Sequence, residues 1–90
     1  MPQASANLTI SNRLGLHARP AMSSVDTAST FSSDIKIAKG AQVVDAKSIM
    51  QLMMLAATKG TELVVTADGP DADDAIAAIT ALVNSKFDED

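Results

Sequence analysis

The sequence predicts an α+β domain in which helices cover one face of a mostly antiparallel sheet. Segments that alternate apolar and polar residues are typical of half-buried strands, and other segments repeat apolar residues at helical spacing. They follow one another in the order strand, helix, strand, strand, helix, strand, helix, which suits that fold class. At 90 residues the chain has the length of one domain with a modest core. We therefore assign residues 1–90 to a single domain with a loose tail over residues 1–6.

The first part of the chain predicts a strand, a loop and a helix. Residues 8–11 alternate apolar and polar side chains, and residues 12–17 form a loop that leads to Pro20. Because proline fixes a helical φ and has no N–H, it predicts a helix that begins around residues 18–20. That helix should end in the serine- and threonine-rich stretch 29–33. Its predicted apolar stripe consists of Ala21, Met22, Val25 and Ala28.

The middle of the chain predicts a hairpin and a short helix. Residues 34–39 alternate cleanly, and residues 42–46 return across a glycine-containing turn as a second strand. A helix follows over residues 47–57. Lys59 and Gly60 are typical of a helix end, and we expect them to close this helix.

The last part of the chain predicts a strand and a helix. Residues 63–67 are rich in β-branched side chains, which favour a strand. Asp71 is expected to cap the final helix, with Asp73 and Asp74 in its first turn, where the helix dipole favours negative charge. The predicted buried stripe of this helix consists of Ile76, Ile79, Leu82 and Val83.

Composition excludes several classes of function. The net charge of −4 argues against binding to nucleic acid or to an anionic membrane. The absence of cysteine excludes disulfides, thiolate metal sites and a cysteine nucleophile, and a single histidine makes a metal site improbable. The longest apolar run, residues 49–57, is too short to cross a bilayer, and no signal peptide is visible. We expect a cytoplasmic protein without a cofactor or metal.

His17 is the main candidate for chemistry because it is the only histidine and precedes the predicted helix start. Helix N-termini favour anions through their N–H groups and dipole, and Arg19 adds a planar cation suited to phosphate oxygens. The pattern suggests transient phosphorylation of His17, with Arg19 stabilising the phosphoryl group. From spacing alone, the alternative that His17 is an inert surface or core histidine stays open.

Two separated motifs resemble the histidine-containing phosphocarrier protein (HPr) family of the bacterial phosphoenolpyruvate:sugar phosphotransferase system. The resemblance runs from about residue 7 to residue 82, and residues 81–90 resemble the nitrogen-branch relatives of this family. It implies an open-faced β-sandwich, which is a four-stranded sheet with three helices on one face. The matching residues are Asn12, Gly15-Leu16-His17-Ala18-Arg19-Pro20-Ala21, Lys47-Ser48-Ile49-Met50, Leu52, Leu55 and Lys59-Gly60.

The resemblance also implies a function. Members of this family accept a phosphoryl group from phospho-enzyme I and pass it to IIA-type proteins, so His17 would be the acceptor in a carrier that is not itself an enzyme. In some members the serine that matches Ser48 is phosphorylated by an ATP-dependent HPr kinase. A serine at a helix start is otherwise only a cap, and that alternative stays open. We expect Ser48 to lie near His17 on one surface.

The second helix carries more apolar side chains than one buried face can hold. It is either sunk in the core or presents an adaptable docking surface, for which methionine is suited. The resemblance implies that Ile49, Met50 and Met53 dock partner proteins, whereas Leu52 and Leu55 pack inward. The expected partners are enzyme I, IIA-type proteins and, where one exists, an HPr kinase, with no nucleic acid, no membrane insertion and a monomeric carrier.

A second function stays open from the sequence. The chain would then be a regulatory interaction protein whose phosphorylation at His17 or Ser48 controls partner binding, as in a nitrogen-branch system. A hydrolase that uses His17 as a general base is disfavoured, because the sequence offers no matching nucleophile and orienting acid in one motif.

Overall fold

The computed structural model describes residues 2–88, and it confirms the predicted order of elements. Four strands form one antiparallel sheet in the order β1-β4-β2-β3, and three α-helices accompany them. None of the described helices is long and apolar enough to cross a membrane. The elements are β1 (Gln3–Thr9), α1 (Ala18–Ser29), β2 (Asp34–Lys39), β3 (Gln42–Asp45), α2 (Ile49–Met54), β4 (Glu62–Asp68) and α3 (Ala72–Asn84), followed by a 3₁₀ turn (Lys86–Asp88).

The core lies on one face of the sheet. Burial alternates along the strands, as expected when successive side chains point to opposite faces and only one face is covered. On β4, Leu63, Val65 and Ala67 are buried, whereas Val64 between them is exposed. Helix α3 contacts β1 and β4, while α1 contacts both α2 and α3. The predicted α+β fold with an open sheet face is therefore confirmed.

The first strand is longer than predicted. Strand β1 begins at Gln3, and its pairing with β4 extends from Gln3 opposite Asp68 to Thr9 opposite Glu62. The expectation of a loose tail over residues 1–6 is therefore wrong for residues 3–6, and residue 1 lies outside the described residues. The strand was missed because its inward positions there are alanines, whose small side chains give a weak alternating signal.

The buried stripe of α1 differs from the predicted one. Met22 is exposed and Val25 is only half-buried, whereas Pro20 and Ser24 are buried together with the predicted Ala21. Successive helical residues are separated by about 100° around the axis, so Met22 lies to one side of the stripe that faces the core. The stripe was misplaced because hydrophobicity favoured methionine over serine for the core.

The second helix is shorter than predicted. Helix α2 ends at Met54. Two residues later Ala56 has a φ of 51°, which is incompatible with a right-handed helix, so the helix cannot continue to residue 57. The expectation that Lys59 and Gly60 close this helix is wrong. Gly60 lies in a separate turn, and its N–H donates to the carbonyl of Ile10 at 2.8 Å.

Asp71 occupies the predicted position at the start of α3 but does not cap the helix with its side chain. Its carboxylate accepts hydrogen bonds from the backbone N–H groups of Ser32 and Ser33, both at 2.9 Å, and from the Ser33 hydroxyl. These bonds join the α1–β2 loop to α3. The hydrogen bond from the Ser33 hydroxyl, followed by the other donors, lowers the pKa of Asp71 from 3.8 to about 2.

The Asp71 contacts predict a pH-dependent part of the stability. Because the pKa of Asp71 is lower in the folded protein, its carboxylate stabilises the fold above about pH 4, and this contribution is lost as the pH falls towards about 2. We expect Asp71→Asn to lower the free energy of unfolding at pH 7 and to flatten its decline between pH 4 and pH 2. Urea unfolding at several pH values measures both effects.

Asp73→Asn is the matched control, because it removes the same charge from the first turn of α3 without touching the serines. It should leave the decline below pH 4 close to that of the unmodified protein. Parallel pH profiles for Asp71→Asn and the unmodified protein would contradict the assignment.

Candidate functional site

His17 lies at the start of α1, as predicted. It is the N-cap residue, with an extended backbone (φ −86°, ψ −168°), and Ala18 is the first helical residue. The His17 carbonyl already accepts a hydrogen bond from the N–H of Ala21 at 2.9 Å, which fixes the residue to the first helical turn. Its half-buried imidazole does not cap the helix. Backbone hydrogen bonds therefore fix His17 at the N-terminal end of a helix.

The loop before α1 is held by its own hydrogen bonds. The Gly15 carbonyl accepts from the backbone N–H of His17 at 3.0 Å and from the side-chain amide of Asn12 at 2.7 Å. Asn12 is fully buried, so its side chain acts as an internal support of the loop. This support fixes the backbone immediately before His17.

Gly15 seats this loop on the segment that follows α2. Its φ is +71°, and a Cβ atom there would lie 2.6 Å from the carbonyl oxygen of Ala57 and 2.8 Å from the Cα of Thr58. Only glycine fits, because any side chain would collide with backbone atoms and strain the left-handed conformation. The next residue, Leu16, donates its N–H to the same Ala57 carbonyl at 2.8 Å. We call this contact between residues 15–16 and 57–58 the Gly15 seat.

The N-terminal end of α1 is suited to an anion. The first N–H groups of an α-helix lack helical acceptors, and since Pro20 has no N–H, the available donors are those of Ala18 and Arg19. The first turn of α1 contains no acidic residue, whereas that of α3 contains Asp73 and Asp74. Arg19 is exposed in this turn, two residues after His17. Within residues 2–88, no group of three or more metal-ligating side chains could hold a metal ion.

Ser48 is the N-cap of α2, as the sequence predicted. Its hydroxyl accepts a hydrogen bond from the N–H of Gln51 at 3.3 Å. The Gln51 side chain in turn accepts from the N–H of Asp45 at 2.9 Å, which ties the helix start to the end of β3. The hydroxyl therefore has a structural role whether or not it is also modified.

Ser48 and His17 lie at opposite ends of α2. The loop that carries His17 rests on residues 57–58, beyond the C-terminal end of this helix, whereas Ser48 begins it. Six residues of α-helix span roughly 9 Å. The surface of α2 therefore extends between the two residues, and their closeness on one surface stays a prediction.

Helix α2 has two distinct faces. Leu52 and Leu55 are fully buried, as predicted, and Ile49 one turn earlier is half-buried against α1. The outward face consists of methionines at positions i, i+3 and i+4. With one exposed methionine of α1 they form what we call the methionine patch: Met22 (58% exposed), Met50 (76%), Met53 (47%) and Met54 (68%).

Two members of the methionine patch were missed by the sequence reasoning. Met22 was assigned to the core, and Met54 was not among the predicted docking residues. The spacing of Met50, Met53 and Met54 on one helical face was the signal that could have found Met54. A shallow groove between α1 and α2, lined by Met22 and Ile49 among others, links the two helices at this surface.

Comparisons with known proteins point to one family. A family model described as the PTS HPr component phosphorylation site matches residues 4–85, where PTS denotes the phosphotransferase system. The phosphocarrier protein HPr of Neisseria meningitidis serogroup A is 46% identical over 83 residues, which cover 92% of this chain and 93% of that protein. The phosphocarrier protein NPr of Shewanella violacea is 42% identical over 89 residues, covering 99% and 98%.

A solved structure gives the same result. The crystal structure of HPr-C-His from Thermoanaerobacter tengcongensis has a TM-score of 0.93 and 44% sequence identity, and the match covers 97% of this chain and 98% of that one. The family model, the two relatives and the solved structure each match nearly the whole chain. The chain therefore belongs to the HPr family of phosphotransferase-system phosphocarrier proteins.

Proposed function

We propose that His17 accepts a phosphoryl group from phospho-enzyme I and passes it to IIA-type proteins of a cytoplasmic phosphotransferase system. The observation that carries this proposal is the position of His17 at the start of a helix whose first turn bears no acidic residue. A phosphoryl group on the ring would lie next to the donors and the positive dipole end of that helix.

The transfer is a substitution at phosphorus. A lone pair of the neutral His17 imidazole attacks the phosphorus atom of the donor's phosphohistidine, a new N–P bond forms, and the donor's N–P bond breaks. The donor ring, protonated at its other nitrogen, leaves with that electron pair as a neutral imidazole, and the phosphorylated His17 ring keeps its own ring proton, so no net proton is released. The second transfer repeats these steps with His17 as the leaving ring. Such transfers depend on positioning and on stabilising the charge of the moving group.

Arg19 is proposed to stabilise the phosphoryl oxygens during transfer. Its guanidinium presents donors in a planar fork that fits phosphate, and its position in the first turn of α1 places it on the same end of the helix as His17. The side chain is exposed, so its charge is screened by solvent. A screened cation stabilises the phosphoryl group without holding it too tightly to leave.

Docking is proposed to use Ile49, Met50 and Met53. Their surface lies between His17 and Ser48, so a partner that reaches the imidazole also covers α2. Flexible thioether side chains can adapt to several partners. The carrier is expected to work as a monomer, since the same surface must meet donor and acceptor in turn.

A regulatory role is the second candidate. It is favoured by the similarity to a relative named NPr, whose match covers 99% of this chain. In that case phosphorylation of His17 or Ser48 controls the binding of partner proteins, as in a nitrogen-branch system. Comparing kcat/KM for phosphorylation by the sugar-branch and nitrogen-branch forms of enzyme I from the source organism decides between the two.

The first prediction concerns His17 itself. Incubation with enzyme I and phosphoenolpyruvate should add one phosphoryl group that is labile in acid and stable in base, as expected of an N–P bond. His17→Ala should abolish the labelling, because the chain has no other histidine. Intact-mass spectrometry before and after acid treatment measures both properties. Labelling that persists in a folded His17→Ala protein would contradict the proposal.

The second prediction concerns Ser48. A phosphate there adds about two negative charges beside the docking surface. We expect Ser48→Asp, which keeps a good N-cap residue and adds a charge, to raise the KM for phosphorylation by enzyme I with little change in kcat. Added salt should reduce the defect, because exposed charges are screened.

Ser48→Asn is the matched control, because asparagine caps a helix as well as aspartate does and carries no charge. It should transfer like the unmodified protein. Equal rates for Ser48→Asp and Ser48→Asn at all concentrations of enzyme I would show that charge at position 48 is no switch on this path.

A further inference from the structure

The methionine patch gathers oxidisable sulfur on one surface. All four described methionines are exposed there, and the buried apolar side chains of residues 2–88 include no methionine. The sequence contains no cysteine that would react with an oxidant first. Along α2 and its C-cap residue Leu55 the separation follows helical spacing, since Leu52 and Leu55 face the core while Met50, Met53 and Met54 face solvent.

We propose that the methionine patch is a site of oxidation by hydrogen peroxide, and that the resulting sulfoxides weaken docking of the phosphoryl donor and acceptor. This inference rests on the proposed carrier function. In the reaction, a thioether sulfur attacks one peroxide oxygen and an S=O bond forms as the O–O bond breaks. The sulfur loses two electrons, the peroxide is reduced, and its second oxygen leaves as water.

The exposed thioethers of the patch are accessible to peroxide, and their oxidation changes the polarity of the proposed docking surface. Peroxide reaches an exposed thioether without any opening of the core. The product is a polar, chiral group in place of a flexible apolar one, so a surface suited to apolar contacts acquires oxygens that must be desolvated on docking. Because the buried cluster contains none of these sulfurs, the sheet and the Gly15 seat remain intact.

The experiment compares the carrier before and after oxidation. Purified protein is treated with hydrogen peroxide, the peroxide is removed with catalase, and mass spectrometry counts the added oxygens at each methionine. The untreated and oxidised proteins are then phosphorylated by enzyme I that has not been exposed to peroxide. We expect oxidation to raise the KM for phosphorylation about tenfold with a nearly unchanged kcat and melting temperature.

Two controls assign the effect to the patch. The first control is a variant that keeps apolar side chains of similar volume in the patch: Met22→Leu/Met50→Leu/Met53→Leu/Met54→Leu. Its rate of phosphorylation is measured before and after peroxide treatment, and the treatment should not change that rate. Methionine sulfoxide reductases, which reduce both sulfoxide epimers, should restore the KM of the oxidised unmodified protein. Restoring single methionines in the leucine variant then locates the sensitive positions.

The outcomes separate this inference from the carrier function. If the untreated protein is not phosphorylated, the proposed function fails. If it is phosphorylated and full oxidation of the patch leaves its KM unchanged, the oxidation proposal is wrong. Equal loss in the leucine variant, or unfolding of the oxidised protein, also overturns it, because the effect would then arise outside the docking surface.

Discussion

The Gly15 seat is the constraint on which the candidate site depends. Two backbone segments approach so closely that no Cβ fits between Gly15 and the Ala57 carbonyl. The hydrogen bond from Leu16 to that carbonyl locks the approach, and the Asn12 amide supports the loop from within. His17 thereby enters α1 with an extended backbone and its ring at the helix start. The position of the His17 backbone therefore follows from packing around a glycine.

The same seat links the proposed phosphoryl acceptor to the proposed docking surface. Residues 57–58 come shortly after α2, so the segment that follows the helix with the apolar surface supports the loop that carries His17. On α2, leucines fill the core while methionines face solvent. A polar or charged group added to the outer face therefore leaves the core undisturbed while it changes the proposed docking surface. Both a phosphate at Ser48 and a sulfoxide at a methionine would act through this separation.

Local signals predicted much of this molecule, and long-range contacts were missed. Pro20 placed the start of α1 correctly because its effect on φ needs no tertiary context. By contrast, the contact between Gly15 and Ala57 joins residues 42 positions apart, and no local pattern in either segment predicts it. Asp71 was placed correctly at the start of α3, yet its carboxylate binds a distant serine loop instead of its own helix. Met22 was assigned to the core because hydrophobicity alone does not show which side of a helix faces the core.

Phosphoryl transfer as proposed requires that the start of α1 stabilises a phosphoryl group on His17. Two-dimensional ¹H–¹⁵N NMR of the protein before and after phosphorylation tests it most directly. We expect the backbone amides of Ala18 and Arg19, together with the guanidinium Nε–H of Arg19, to shift downfield as they donate to the phosphoryl oxygens. The amides of Asp73 and Asp74 should stay in place. Unchanged signals from Ala18 and Arg19 in the fully phosphorylated protein would contradict it.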